Sequence, residues 1–235
     1  MDNALFITGT DTGAGKTIIT GLLAKLLTKR GIKTITQKWV QTGCAGVSED
    51  VAMHMKFMTD GGKYMEKYHS DMAPYVLEFP SSPHLAALLE KKHIDIARIE
   101  SSFRRLAEDF DFVLVEGTGG LMVPLNDEKM IIDIVEKLCL SVLVVAENRL
   151  GAINQTLLAV EALKERNLEI AGIVFNRVSQ KGDEIILKDN LRIVETLTGE
   201  KVLGELCHSN DMQELYRMFL PIGEQILSYL YRLRF

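Results

Sequence analysis

An α/β fold, with a mostly parallel sheet and helices on both faces, is predicted by three features of this 235-residue chain. Short apolar runs alternate with helical periodicity along most of its length, the pattern of successive strand–helix–strand units. Those runs are continuously apolar, as strands covered on both faces should be. The first of them feeds through a glycine-rich turn straight into an amphipathic helix.

Taken in order, Ala4-Leu5-Phe6-Ile7 reads as the first strand. Ile18-Ile19, Leu22-Leu23 and Leu26-Leu27 set a helix over residues 17–29. A shorter strand lies at 33–37, and a helical pattern begins at Asp50, where Met53, Met55 and Met58 are packing residues. Residues 60–82 are the least regular, with Gly61-Gly62, Pro74 and Pro80, and lead to a helix starting near His84. Helices are predicted over 95–108, 152–166 and 183–197, with strands at 112–115, 142–145 and 170–175. Val202-Leu203 opens a weaker strand. From Pro221 to Phe235, Ile222, Ile226, Leu227, Leu230 and Leu233 form an apolar stripe, best read as a closing helix packed on the sheet. The connections should be right-handed crossovers within one domain spanning 1–235.

The turn after the first strand carries the strongest signal. It reads Gly9-Thr10-Asp11-Thr12-Gly13-Ala14-Gly15-Lys16-Thr17, a phosphate-binding loop and hence a P-loop NTPase fold. Thr12, Gly13, Ala14 and Gly15 can close backbone N–H groups around phosphate oxygens, and the helix that follows, through Ile18, aims its positive end at the same anion. Lys16 neutralises the terminal phosphates, and the Thr17 hydroxyl suits a magnesium ion. Five residues separate Gly9 from Gly15, where the general pattern has four. A nucleoside triphosphate is the expected ligand.

Composition narrows the class further. A net charge of −5 disfavours a nucleic-acid surface, which needs a basic face. Cys44, Cys139 and Cys207 are odd in number and widely spaced, which suggests a reducing, cytoplasmic setting. The first strand begins almost at Met1, so no signal peptide is expected, and no apolar run reaches bilayer-spanning length. His54, His69, His84, His93 and His208 show no zinc spacing.

Other candidate site residues stand at strand ends, where open α/β sheets bind ligands. Lys38, after the strand at 33–37, could stabilise developing negative charge. Glu116, in Glu116-Gly117-Thr118-Gly119-Gly120, is a carboxylate followed by glycines that permit close approach, which suits magnesium. Asp50 fits either a magnesium ligand or a helix N-cap. The segment Leu150-Gly151-Ala152-Ile153-Asn154 opens a helix and could hold a carboxylate or be an ordinary helix start. Asn176, with Arg177 beside it, could meet a nucleobase edge.

Together these residues resemble the dethiobiotin synthetase family. The resemblance covers nearly the whole chain: Gly9-Thr10-Asp11-Thr12 with Gly15-Lys16-Thr17, Lys38 with Val40 and Thr42-Gly43, Ser82-Pro83-His84, Glu116-Gly117 with Gly119-Gly120, Leu150-Gly151 with Ile153-Asn154, and Asn176. The extended phosphate loop is the family's own form. The resemblance implies ATP-dependent joining of CO2 to 7,8-diaminononanoate, through a carbamate and a carbamic-phosphoric anhydride, to close the ureido ring of dethiobiotin. It implies Lys38 and Lys16 as the catalytic cations, and Thr17, Asp50 and Glu116 as holders of Mg2+. Thr42 would contact the diamine. Gly117, Thr118 and Gly119 would border ATP, with Asn176, Arg177, Cys207, His208, Ser209 and Glu214 around adenine. A homodimer is implied as well, in which Leu150 to Asn154 of the second subunit hold the substrate carboxylate. Against the family pattern, Gly13 replaces a bulkier residue, Thr118 an alanine, and Trp39 and Cys207 each a proline. Trp39 is expected to add bulk beside the site.

A rival class is the switch ATPase of the septum-positioning and partitioning type, which shares this fold group and binds partners or membrane. Arg232 and Arg234 in the C-terminal stripe would suit a membrane surface. Those ATPases usually carry an extra lysine early in the loop, and positions 10–14 contain none.

Overall fold

The computed structural model describes residues 3–58, 66–180 and 182–234. Gly61 and Gly62 of the irregular stretch lie outside the described residues, as do Phe235 and the side chains of Leu233 and Arg234. Six strands form one sheet: β1 (Ala4–Gly9), β2 (Thr34–Lys38), β5 (Phe112–Glu116), β6 (Ser141–Glu147), β7 (Ile170–Asn176) and β8 (Val202–Leu206). Their spatial order is β2-β5-β1-β6-β7-β8, and every ladder between them is parallel. The predicted strands are all present, and the weak candidate at Val202 becomes the edge strand β8.

The helices are α1 (Lys16–Lys29), α2 (Glu49–Phe57), α3 (His69–Met72), α4 (Pro83–Leu89), α5 (Ile96–Asp109), α6 (Ile131–Lys137), α7 (Ala152–Glu165), α8 (Glu184–Thr198) and α9 (Met212–Arg234). The four long predicted helices begin and end within one residue of expectation. Two further strands, β3 (Val40–Thr42) and β4 (Tyr75–Leu77), pair in parallel as a small separate sheet. At three residues each they are too short for periodicity to show. Helix α6 is short and wholly apolar on its inner side, and it too was not anticipated.

The core is formed by both faces of the sheet. Phe6, Val113, Leu114, Val142, Val144 and Phe175 are fully buried, which accounts for the continuously apolar strands. Helix α9 starts nine residues before Pro221 and carries that proline in its interior. Its stripe is buried: Phe219, Ile222, Ile226, Leu227 and Leu230 pack into the core beside β8, β7 and α1. An apolar face covered in this way is not available to a membrane, and no described helix is long and apolar enough to cross one.

Two features of the fold position the site. The direction of strand connection reverses at β1, which has β5 on one side and β6 on the other, so the crevice opens at its carboxyl end. In the ladder register Lys38 lies directly beside Glu116, and Glu116 beside Ile7, two residues before Gly9. Three segments remote in sequence therefore deliver the phosphate loop, a lysine and a glutamate side by side. Above them lies α2, held close to α1 because Gly21 has no side chain; a Cβ there would meet Phe57 at 2.4 Å.

Candidate active site

The strand ends, the phosphate loop and the first turn of α2 line a cleft of about 710 Å³. Its walls include Thr12, Gly13, Gly15, Thr17 and Ile18 on one side and Thr42, Ser82, Pro83, Thr118 and Gly119 on the other. Gly15 has a left-handed backbone (φ +99°), and a Cβ there would fall 2.0 Å from the amide nitrogen of Asn176. Only glycine satisfies both the turn and that approach. The amide of Asn176 donates to the Ala14 carbonyl (3.0 Å) and so braces the loop from the end of β7.

Lys16 is almost fully buried, and its Nζ donates to the backbone oxygen of Asp11 at 2.9 Å, folded back across the loop. Burial, with the Lys38 ammonium nearby, lowers its pKa to about 8. Lys38 is buried too, and its Nζ lies 2.7 Å from Asp50 Oδ2, 2.7 Å from Glu116 Oε1 and 2.9 Å from the Gly117 carbonyl. Burial alone would lower the Lys38 pKa, but the Glu116 and Asp50 carboxylates outweigh it and hold the ammonium above its usual value. Burial likewise disfavours the Glu116 carboxylate, yet Lys38 and then His54 keep it well below the usual range. Glu116 is therefore an ionised carboxylate buried at a cost that its partners offset.

The Thr17 hydroxyl lies 3.1 Å from both Asp50 Oδ1 and Glu116 Oε1 and can donate to one at a time. Ser48 takes the N-cap of α2, accepting from the Val51 N–H, and its hydroxyl donates to Gln41 at 2.9 Å. The capping alternative for Asp50 is thus filled by Ser48, and the Asp50 carboxylate faces Lys38 and Thr17. Two carboxylates and a hydroxyl converging on one point form an all-oxygen donor set, which fits a magnesium ion that keeps its remaining positions for phosphate and water.

His54 enters the site unannounced: fully buried on α2, it places Nε2 2.7 Å from Glu116 Oε2. The signal was its spacing, one helical turn beyond Asp50 and so on the same helix face. Gln41, whose Oε1 receives Ser48, was missed likewise; nothing in its local sequence marks it.

Trp39 differs from expectation. It is buried away from the cleft, stacked on Phe6 with ring centroids 4.9 Å apart, and donates to Gln37 at 3.0 Å. Its bulk enters the core rather than the site.

The remaining predicted residues fall outside the cleft. Arg177 pairs with Glu184 and Glu205, and its N–H reaches the Leu206 carbonyl. Cys207, His208 and Ser209 therefore leave β8 next to Asn176 and Arg177, and the Ser209 hydroxyl donates to Glu214 at 2.5 Å. Leu150 to Asn154 lead from the carboxyl end of β6 into α7, which starts at Ala152, with Leu150 strongly exposed, and none of them lines the cleft. A second cavity of about 690 Å³, walled by Val51, Met55, Tyr75 and Leu77, lies across α2 and is lined by none of Lys16, Thr17, Lys38, Asp50 and Glu116.

Comparison with known proteins agrees with the geometry. Residues 3–214 match the family described as AAA domain. The chain is 45% identical over 203 residues to the ATP-dependent dethiobiotin synthetase BioD of Chlorobaculum tepidum, covering 86% of this chain and 83% of that protein. It is 39% identical to the ATP-dependent dethiobiotin synthetase BioD 2 of Haemophilus influenzae, covering 81% of this chain and 99% of that one. Among solved structures it is similar to the MinD cell division protein of Aquifex aeolicus (TM-score 0.57, 13% identity, 99% of this chain and 97% of that one). It is similar also to a pNOB8 ParA bound to nonspecific DNA (TM-score 0.61, 12% identity, 99% of each). At such identities these two likenesses speak to the fold alone.

Proposed function

The chain belongs to the ATP-dependent dethiobiotin synthetase family, and from that premise we propose how its residues close the ureido ring of dethiobiotin from 7,8-diaminononanoate, CO2 and ATP. It is an ATP-using ligase built on a P-loop domain, and in this proposal that domain is a single unit over 1–235. The observation that carries the reading is the meeting of Lys16, Lys38, Asp50, Glu116 and Thr17 at the mouth of the phosphate loop, in a cleft that also holds Thr42.

The phosphate loop from Thr12 to Ile18 cradles the triphosphate with backbone N–H groups, and Lys16 swings from Asp11 onto the terminal phosphates. Thr17, Asp50 and Glu116 would hold Mg2+, which when bound would draw charge from the phosphoryl oxygens. Lys38 faces the carbamate that one amine forms with CO2 and neutralises charge as the phosphoryl group moves onto it. The second amine then attacks the same carbon, the C–O bond to the phosphoryl group breaks, and inorganic phosphate leaves as the amine sheds its proton. Thr42 orients the diamine so that both amines stay within reach of that carbon. No nucleophilic side chain is required. Adenine rests toward Asn176 and Arg177, beside Cys207 to Ser209 and Glu214, with Gly117, Thr118 and Gly119 flanking the phosphates.

The active unit in this reading is a cytoplasmic homodimer without nucleic-acid or membrane partners. Supporting it, Met122 and Leu158 are more than half exposed and line one apolar depression beside Thr10, Asp11 and Gly120. That surface continues along α7, and Leu150 to Asn154, which lead into its first turn, would reach a partner's substrate carboxylate.

Product mass after incubation with 7,8-diaminononanoate, bicarbonate and MgATP tests the activity. Dethiobiotin is expected in the full mixture and in none lacking one component. ATP hydrolysis indifferent to the diamine would refute it and favour a switch ATPase.

A pH effect follows from Lys16. The ammonium binds phosphate, so nucleotide affinity should hold below the Lys16 pKa of about 8 and fall above it, by up to tenfold per unit. Calorimetry of ADP binding at pH 8.5 in buffers of different ionisation enthalpy should show proton uptake that vanishes in Lys16→Met. Equal heats across buffers would contradict it.

A further inference from the structure

Glu116 Oε1 already serves Lys38 and Thr17, at 2.7 and 3.1 Å. Its other oxygen, Oε2, meets His54 at 2.7 Å. As Glu116 is a carboxylate and only accepts, His54 Nε2 donates the hydrogen bond. The other ring nitrogen, Nδ1, is buried with no partner among the described residues. An apolar side chain would fill this fully buried position without an orphaned Nδ1 but would leave Glu116 Oε2 without its donor, so it is that contact, and not packing, that accounts for an imidazole here. The helix is also fixed at both ends: Ser48 anchors its start to Gln41, and Phe57 locks its last turn over Gly21. His54 is thus presented to Glu116 from a rigid element.

We propose that His54 is a positioning residue for Glu116. By occupying Oε2 it fixes the carboxylate's rotation and reserves Oε1 for the side where Lys38, Thr17 and the metal–nucleotide meet. Asp50 and His54, one turn apart on α2, then act as a pair: one supplies an oxygen to the cation site and the other aims the oxygen opposite. The proposal rests on the dethiobiotin synthetase reading only for the metal–nucleotide that fills the site.

The test is calorimetric binding of ADP with and without Mn2+, whose affinity ratio isolates the contacts of the metal with the protein. The native chain is expected to bind Mn2+–ADP more tightly than ADP. His54→Leu should lose about tenfold or more of that ratio, as loss of a partner that orients a ligand typically does, while metal-free ADP binding is unchanged. His54→Gln places an N–H near the position of Nε2 and should restore the ratio to within about threefold. If His54→Leu does not fold, His54→Asn, too short to reach Oε2, takes its place. In turnover, the half-saturating Mg2+ should rise in the variant that lacks the donor, with little change in kcat at saturating metal. A native-like ratio without the donor, failure of Gln to restore it, or no tightening by Mn2+ in the native chain would each overturn the proposal. Since binding is read without the diamine, a failure of dethiobiotin synthesis is scored separately.

Discussion

Lys38→Gln is expected to lower dethiobiotin formation by about 10²–10³-fold or more, with ATP affinity within a few-fold of native. The lysine faces the transferring group, while the phosphate loop and Lys16 bind the nucleotide independently of it. The ordinary risk with such a variant is unfolding. Removing one partner of a buried pair strands the other, at roughly 3–5 kcal/mol. Here Asp50 is partly exposed and the glutamine amide can still donate to Glu116, so the loss should be smaller. The pH dependence identifies the cause. The depressed Glu116 pKa stabilises the native fold at pH above the ordinary value of about 4.3, and that stability is lost as pH falls through the folded value. The raised Lys38 pKa stabilises below its ordinary value of about 10.4 and is lost as pH rises through the folded value. Between these limits the pair's contribution to the native Tm is constant. Without the ammonium, Glu116 keeps only His54 and the glutamine amide against the cost of burial, so its pKa is depressed less and the acid-side fall in Tm should move toward neutral pH. Unimpaired turnover, or identical Tm profiles, would remove Lys38 from the role given to it.

How much of this could be read from sequence differs from residue to residue for physical reasons. The phosphate loop was legible because its chemistry is local: glycines, lysine and threonine are contiguous, between a strand and a helix that periodicity reveals. Lys38 and Glu116 were legible as strand ends, but their adjacency was not, since it depends on β5 inserting between β1 and β2. Asp50 stayed ambiguous because capping and ligation use the same carboxylate; Ser48, two residues earlier, settles its surroundings by taking the cap. His54 belongs to no zinc spacing, and only its one-turn offset from Asp50 marks it in the sequence. Trp39 was misplaced since the residue after a strand end can turn either way, and here Phe6 offers it a face in the core. Strands β3 and β4 were too short to register, yet they bring Thr42 and the Ser82-Pro83 turn to the cleft.

Glu116→Gln should be the more damaging change, even though it is nearly isosteric. Both carboxylate oxygens accept, Oε1 from Lys38 and Thr17 and Oε2 from His54. An amide offers one acceptor and one NH2. Turned with its oxygen toward Lys38 and Thr17, it can donate to His54 Nε2 only if the imidazole moves its proton to Nδ1, which is buried without a partner among the described residues. Turned the other way, its NH2 meets the Lys38 ammonium. One buried group is then left unsatisfied, at about 1–3 kcal/mol, and for a chain of this size Tm should fall by roughly 2–12 °C. The metal site also loses a formal charge, and the Lys38 ammonium is left with Asp50 as its only carboxylate partner. Half-saturating Mg2+ should therefore rise by at least about tenfold, and turnover at saturating metal should fall as well, because Lys38 is no longer held between two carboxylates. This combination separates Glu116 from His54, whose loss should affect metal affinity with little change in saturated turnover. Glu116→Asp restores the charge but shortens the reach, so it cannot span from His54 to Lys38; it should recover metal affinity in part and Tm incompletely. Titrating Mg2+ against dethiobiotin formation in both variants, with Tm measured alongside, decides the matter. Native metal dependence in Glu116→Gln would place the cation elsewhere in the cleft and leave Glu116 as no more than the counter-ion of Lys38.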